Sequence, residues 1–223
     1  MLNNPHPYLN KSKEEWLNIT NELIKSHPLT EKEIVDTCLS AWDDMFNTEI
    51  GGARLKIGRD IFPTPQIIGY LLHELIPAEI EKKHPSMWRK DESAHEKDLV
   101  CLENDYFSTE VKTSSNKNQI FGNRSYAQES ISDKKSKNGF YITINFTTPK
   151  KDVEEPKVNI IRFGWLDHTD WIAQKAASGQ QTKERDKLFR KPNASERREK
   201  NRAIRKPISA AKTTLCNRMP RFY

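Results

Sequence analysis

The chain has 223 residues, of which 35% are hydrophobic and 30% charged, and its net charge is +6, so it is long enough for one domain with a real core. No apolar stretch approaches the length of a membrane span, the N-terminus lacks the features of a signal peptide, and three scattered cysteines indicate neither a disulfide framework nor a zinc site. We therefore expect a soluble, cytoplasmic protein without membrane contact.

The N-terminal part predicts a helical scaffold. Capping signatures at residues 12–15 (Ser-Lys-Glu-Glu) and 30–33 (Thr-Glu-Lys-Glu) each open a segment with apolar residues at helical spacing. The first helix is expected over residues 12–26, and the second carries an apolar stripe that ends near Met45.

A glycine-punctuated connection at residues 50–63 precedes a third helix. Its glycines would let the backbone approach a ligand, with Arg59 directed towards DNA phosphates, although a plain flexible loop is the alternative. Thr64-Pro65 marks a helix start, and Pro77 is expected to end or kink the helix.

Glu74 lies within this mostly apolar third helix. A carboxylate in a buried helix needs a partner, and we consider Glu74 a candidate catalytic residue directed at a metal site. The alternative is a surface position with His73 as its polar neighbour. The charged segment from 79 to 97 is expected to be a helix end followed by a loop.

Residues 98–114 carry the pattern that is most informative about chemistry. An apolar run, a turn-like Glu-Asn-Asp and a second extended run predict a β-hairpin. If its register centres on Asn104, Asp98 lies opposite Glu110, and both project to the same face. Lys112 shares that face, because side chains two apart on a strand point the same way.

Two opposed carboxylates favour a divalent cation between them, and their hard oxygens suit Mg²⁺. The neighbouring ammonium of Lys112 would orient or deprotonate a water molecule, which is the chemistry of metal-assisted phosphodiester hydrolysis. Asp98 and Glu110 are therefore the candidate metal ligands, and Lys112 is the candidate catalytic cation. The alternative is a solvated strand face, since Glu-x-Lys is common on strands.

A polar segment follows Lys112 and concentrates side chains suited to DNA recognition. Amides pair with adenine edges, and arginine pairs with guanine or phosphate. Turn-forming residues in an ordinary loop are the alternative. The candidate DNA-binding residues in this segment are Asn116, Lys117, Asn118, Gln119, Asn123, Arg124 and Gln128.

Two strands are predicted at residues 140–146 and 158–165, joined by a polar loop. A short helix is expected after Thr169 and is predicted to end at Gly179. Gln180 and Gln181 follow this cap and are further candidates for adenine contacts.

The positive charge is concentrated at the end of the chain. Residues 183–223 contain 14 Lys/Arg against 4 Asp/Glu, whereas residues 1–182 contain 23 against 27. We therefore divide the chain into an endonuclease core with its helical scaffold (1–182) and a basic C-terminal extension that contacts DNA (183–223), with a charged helix from about residue 195. A disordered basic tail without a specific target is the alternative.

The Asp98…Glu110-Val111-Lys112 pattern resembles the Asp…Glu-x-Lys core of the PD-(D/E)xK nuclease superfamily. Blocks at residues 58–65, 118–126 and 162–168 resemble the ScaI-type type II restriction endonucleases. The usual Pro before the Asp is Lys97 here, and because Pro supplies no ligand, the site geometry stays possible.

The resemblance implies an α/β fold with a restriction-endonuclease-like core, in which a central mixed β-sheet is flanked by helices. It also implies a homodimer that cleaves double-stranded DNA at a short palindrome with Mg²⁺. Asp98 and Glu110 would be the metal ligands, and Lys112 would position or activate the attacking water.

The sequence thus predicts a type II restriction endonuclease. Amides outnumber arginines in the candidate reading segments, which favours an A/T-rich site. Two alternatives from other classes are a structure-selective repair or junction nuclease on the same core and a DNA-binding protein without catalytic activity.

Overall fold

The computed structural model of the chain describes residues 3–127, 136–151, 156–173 and 181–184. The α-helices in these ranges are α1 (Lys13–Ser26), α2 (Glu31–Asn47) and α3 (Pro65–Lys83). The strands in these ranges are β1 (Trp88–Lys90), β2 (Leu99–Cys101), β3 (Thr109–Ser114), β4 (Phe121–Asn123), β5 (Gly139–Phe146), β6 (Val158–Leu166), β7 (Trp171–Ala173) and β8 (Gln181–Glu184). Among the residues described, no helix has the length and apolar character needed to span a bilayer.

The central sheet is mixed and has the strand order β1-β2-β3-β5-β6. Strands β3 and β5 run parallel, whereas the other neighbouring pairs are antiparallel. Helix α3 packs against β1 and β3, and α1 and α2 pack against β6. This arrangement confirms the predicted α/β fold with a central mixed sheet flanked by helices.

The two faces of β5 explain how the layers are organised. All eight of its residues are buried. Phe140, Ile142 and Ile144 join the large core formed with the helices, whereas Tyr141 joins a second cluster with Tyr126 and Trp171. Side chains alternate across a strand, so one face of the central sheet carries the helices and the other carries a small antiparallel sheet of order β4-β8-β7.

The helix starts agree with the sequence-based expectations. The carboxylate of Glu15 accepts a hydrogen bond from the Ser12 N–H at 2.9 Å, and the hydroxyl of Thr30 accepts one from the Glu33 N–H at 3.2 Å. Each contact satisfies a backbone donor that a helix N-terminus leaves without an intrahelical partner. The strands expected at 140–146 and 158–165 are also confirmed, as β5 and β6.

Two secondary-structure predictions were wrong. The segment 79–97 was expected to hold a helix end and a loop; α3 does end within it, at Lys83, but β1 then forms in place of the loop, because its backbone pairs with β2. The helix expected after Thr169 begins instead as β7, whose backbone pairs with β8. In both places pairing with the next strand along the chain decided the local structure, which is a known limit of propensity arguments.

Several further predictions concern residues 174–180 and 185–223, which lie outside the described residues. They include the expected helix end at Gly179 and the charged helix from about residue 195. Strand β8 spans residue 182, where the core was predicted to end, and its pairing with β4 and β7 makes residues 183 and 184 part of the small sheet.

His27 links the end of α1 to the start of β3. Its ring is 6% exposed, its centroid lies 4.6 Å from that of Phe140, and its Nε2 lies 3.1 Å from the backbone oxygen of Phe107. Burial lowers the pKa of His27 from 6.5 to about 4, so the imidazole is neutral at pH 7.

This burial predicts a pH-dependent stability. Between pH 6.5 and 4 the unfolded chain binds a proton at His27 that the folded chain does not, so the free energy of unfolding falls as the pH falls. At pH 5 the loss from this residue is roughly 2 kcal/mol. Urea titrations at pH 7.5 and 5 should show a smaller loss in His27→Gln than in the wild type. The matched control is His95→Gln, at an exposed histidine, and an equal loss in all three proteins would contradict the assignment.

Candidate active site

The β2–β3 hairpin brings the predicted catalytic residues together. Leu99 pairs with Thr109, so the register centres on residue 104 and places Asp98 opposite Glu110, as predicted. The turn contains a short 3₁₀-helix, Asp105–Phe107, and the Cys101 N–H donates to the hydroxyl of Ser108 at 2.9 Å. The hairpin geometry inferred from the sequence is therefore confirmed.

Glu110, Lys112 and Asp98 form one charged cluster. Lys112 Nζ donates to Glu110 Oε1 at 2.6 Å and lies 4.0 Å from Asp98 Oδ2. The side chain of Glu110 is only 3% exposed, against 16% for Asp98 and 13% for Lys112. Limited access of water weakens dielectric screening, so these charges interact more strongly than they would at the surface.

Asp98 also fastens the two hairpin strands to each other. Its Oδ2 accepts a hydrogen bond from the Val111 N–H at 2.7 Å. Because this donor lies between Glu110 and Lys112 in the chain, the bond fixes Asp98 relative to both residues. The same carboxylate therefore has a structural contact in addition to its predicted role at a metal.

Helix α3 places a histidine at this cluster. His73 Nδ1 lies 3.4 Å from Asp98 Oδ2. The candidate Glu74 instead forms an ion pair with Lys90 of β1, and its side chain is 43% exposed. The proposed role of Glu74 at a metal stays a prediction, whereas His73, which we had considered only as a polar neighbour, makes the direct contact.

Tyr126 is a site residue that sequence reasoning missed. It lies in a short 3₁₀-helix, Arg124–Ala127, and its hydroxyl donates to Glu110 Oε1 at 2.5 Å. Burial and the charge of Glu110 raise its pKa well above the usual range, so the hydroxyl keeps its proton and serves as a donor. The signal in the sequence was a tyrosine that ends an otherwise polar segment.

Lys97 occupies the position where the nuclease motif usually has Pro. Its side chain is buried, and its Nζ donates to the backbone oxygen of Asn138 at 2.9 Å. A Cβ on Gly139 would lie 2.3 Å from this Nζ, and the φ of Gly139 is +143°. Lys97 therefore ties the residue before Asp98 to the start of β5, a connection that requires glycine at position 139.

The predicted reading loop after β3 is held through its backbone. Asn145 Nδ2 donates to the carbonyl oxygens of Asn116 and Gln119 at 2.7 and 3.1 Å, and Arg162 Nη2 donates to that of Asn118 at 3.3 Å. Arg162 Nη1 also donates to Asn145 Oδ1 at 2.5 Å. Residues 116–119 are exposed, while the carbonyl oxygens of Asn116, Asn118 and Gln119 accept hydrogen bonds from side chains of the central sheet. The loop thus has a fixed frame and accessible side chains.

Asn116 has a second function within this loop. Its Oδ1 accepts hydrogen bonds from the backbone N–H groups of Asn118 and Gln119, both at 3.0 Å. This turn-forming pattern is typical of Asn in loops. The side-chain oxygen of Asn116 shapes the loop, which leaves Lys117, Asn118 and Gln119 as the exposed candidates for DNA contact.

The small sheet juxtaposes two more candidates. Asn123 of β4 pairs with Gln181 of β8 in the antiparallel register, although they are far apart in sequence. Asn123 is exposed. Gln128 and Gln180 lie outside the described residues, as does the side chain of Arg124. Arg59 forms an ion pair with Asp60 and remains 61% exposed.

The carboxylates fit a site for a hard divalent cation that is completed by solvent and substrate. Asp98 and Glu110 both face Lys112 Nζ, within 4.0 and 2.6 Å, so their oxygens border one small region. Among the described residues no three His, Cys, Asp or Glu side chains cluster as a metal cage. Mg²⁺ is usually bound by one or two carboxylates plus water and phosphate oxygens, which matches this donor set.

Comparison with known proteins shows which family the chain resembles. The model of the ScaI restriction endonuclease family matches residues 6–190. Over 178 residues the chain is 44% identical to the type II restriction enzyme ScaI of Streptomyces caespitosus, which covers 79% of this chain and 78% of that enzyme. The family match includes Asp98, Glu110, Lys112 and the candidate reading loop.

The anchoring of the loop predicts a specific effect of Asn145→Ala. Removal of the amide takes a donor from two loop carbonyls, so backbone amides at residues 114–121 should exchange hydrogen faster, and the free energy of unfolding should fall by about 1–3 kcal/mol. Hydrogen-exchange mass spectrometry would measure the first effect and urea denaturation the second. Asn159→Ala is the matched control, because Asn159 bonds Thr147 outside the loop. Equal exchange in the two variants would refute the anchoring role.

Proposed function

The chain belongs to the ScaI restriction endonuclease family, and from this premise we propose that it is a type II restriction endonuclease that uses Mg²⁺ to cleave both strands of DNA at a short palindrome. The observation that carries the chemical part is the cluster of Asp98, Glu110 and Lys112 on one face of the hairpin. Such a cluster combines two hard-metal ligands with a cation beside them.

The residues have separate roles in this proposal. Asp98 and Glu110 would hold the metal ion, which would supply Lewis-acid chemistry at the scissile phosphate. Lys112 orients the attacking water and balances charge at the phosphate through its Nζ. The hydrogen bond from Lys112 to Glu110 sets the position of that ammonium before DNA arrives.

We further propose that the enzyme acts as a homodimer. A duplex has two strands to cut, and each chain contributes one Asp98–Glu110–Lys112 cluster among its described residues. A two-fold symmetric dimer presents two such clusters and reads a palindrome with identical surfaces. Light scattering of the free protein and of its DNA complex measures the oligomeric state directly.

We propose that the recognition site is rich in A·T pairs. The exposed residues Asn118, Gln119 and Asn123 are amides, and Asn or Gln side chains pair bidentately with adenine. The basic region after residue 183 would add phosphate contacts that strengthen binding without reading sequence. DNA in the cytoplasm is the substrate that this proposal requires.

The activity itself is tested with phage DNA and Mg²⁺. Discrete fragments with a shared end sequence are expected, and sequencing those ends gives the site and the cut position. Cleavage confined to branched or damaged DNA would favour a repair nuclease instead. Binding without any cleavage would favour a DNA-binding protein that lacks catalytic activity.

Lys112→Ala tests the catalytic assignment. Loss of the ammonium removes the group that orients water and stabilises charge, so the cleavage rate should fall by at least about 100-fold while DNA affinity changes little. Gel shifts without Mg²⁺ measure affinity, and single-turnover assays measure cleavage. Lys32→Ala is the control, since Lys32 is an exposed α2 residue paired with Asp36. Normal cleavage by Lys112→Ala would show the site to be misassigned.

Gln181→Ala and Asn123→Ala test the candidate base readers. If each position reads a base, each variant should lose about 1–3 kcal/mol of binding free energy, concentrated at one base pair of the site. Competition binding with a set of single-substituted duplexes resolves this pattern. A uniform loss across all duplexes would instead identify the position as a backbone contact.

A further inference from the structure

Tyr126 joins the small sheet to the charged cluster. Its ring centroid lies 5.1 Å from that of Trp171 on β7, and a Cβ on Gly122 of β4 would lie 3.1 Å from the Tyr126 ring. Its hydroxyl donates to Glu110 Oε1 on β3 at 2.5 Å. One side chain therefore contacts two strands of the small sheet and the most deeply buried carboxylate of the site.

The position of Tyr126 is closely defined by its neighbours. The residue is 6% exposed. Lys112 Nζ lies 5.1 Å from its ring centroid and donates to the same oxygen of Glu110 that accepts from the tyrosine hydroxyl. Lys137 Nζ lies 4.5 Å from the same centroid. Ammonium groups at these distances are attracted to an aromatic ring, so ring and carboxylate are held as one unit.

Tyr126 also lies against β4, the strand that carries the proposed base-reading residue Asn123. Gly122 directly precedes Asn123, whose partner in the register is Gln181. Because Gly122 has no Cβ, the β4 backbone lies close to the Tyr126 ring, so a displacement of β4 would move that ring. A hydrogen bond weakens steeply when its distance and angle change, so small shifts at β4 alter the contact with Glu110.

We propose that Tyr126 is a positioning residue, which holds the Glu110 carboxylate in its cleavage geometry and through which contact of the small sheet with DNA affects that geometry. The inference rests on the proposed function and adds to it a physical link between recognition and cleavage. Hydrogen-bonded partners of a metal-ligating carboxylate set its orientation and basicity, and their loss typically costs about 10- to 100-fold in metal affinity or activity.

Tyr126→Phe keeps the ring and removes the donor. The single-turnover rate on the cognate duplex should fall about 10- to 100-fold, and calorimetric titration of the DNA-free protein with Mn²⁺ should show a comparable loss of affinity. The affinity for the cognate duplex without metal should stay at the wild-type value. Tyr106→Phe is the matched control, because its hydroxyl donates to the backbone oxygen of Asn4, outside the cluster.

Gly122→Ala tests the link from the β4 side. The new Cβ meets the Tyr126 ring at 3.1 Å and displaces it, so the cognate cleavage rate should fall while cleavage of a duplex with one wrong base pair changes less. In the double variant with Tyr126→Phe, Gly122→Ala should cause little further loss, because coupled residues are not additive. Gly164→Ala is the control, because its new Cβ would lie 3.9 Å from the Thr20 side chain, an ordinary van der Waals contact.

The outcomes separate this inference from the proposed function. A wild-type protein that cuts no DNA with Mg²⁺ overturns the proposed function itself. If the wild type cuts and Tyr126→Phe matches it in rate and Mn²⁺ affinity, Tyr126 is not a positioning residue. A loss of cognate binding as large as the loss of cleavage would make it part of the recognition surface instead. If Tyr126→Phe lowers the melting temperature too far for assay, Gly122→Ala and Gly164→Ala decide the matter, and equal rates in those two would refute the link.

Discussion

The buried carboxylate of Glu110 is the feature on which the arrangement of this fold depends. A charge at 2% exposure is costly unless donors compensate for the lost water. The donors come from two directions, Lys112 on the same strand and Tyr126 from the segment that leads away from β4. Tyr126 reaches β3 from the face of the central sheet that carries the small sheet, so the packing of the small sheet and the compensation of this charge are linked.

The charge balance of the site explains why a cation is expected there. Asp98 and Glu110 outweigh the single ammonium of Lys112, so the cluster by itself repels a DNA phosphate. A bound divalent cation reverses the sign of the local potential. The body of the chain is slightly acidic and its last 41 residues are strongly basic, so under the proposed function the basic region attracts DNA and the body carries out the chemistry.

The features that could be predicted from the sequence are those that depend on interactions between residues close together in the chain. The hairpin at 98–114 was predictable because alternation and turn residues are local signals that also fix the register. Strands β1 and β7 were missed because each is only three residues long, too short to show a strand periodicity, and is defined by its pairing with the next strand. Tyr126 and Asn145 were missed for a related reason: their contacts join segments 16 or more residues apart, and no local periodicity reports them.

The backbone of the candidate DNA-reading segments is positioned by residues other than the side chains that would contact the bases. Asn145 and Arg162 bind carbonyl oxygens of loop 116–119, and the β4–β8 backbone register sets positions 123 and 181 opposite each other. Under the proposed function, substitutions at the exposed residues Asn118, Gln119 and Asn123 change which bases are contacted while the frame, and through Tyr126 its connection to Glu110, is retained.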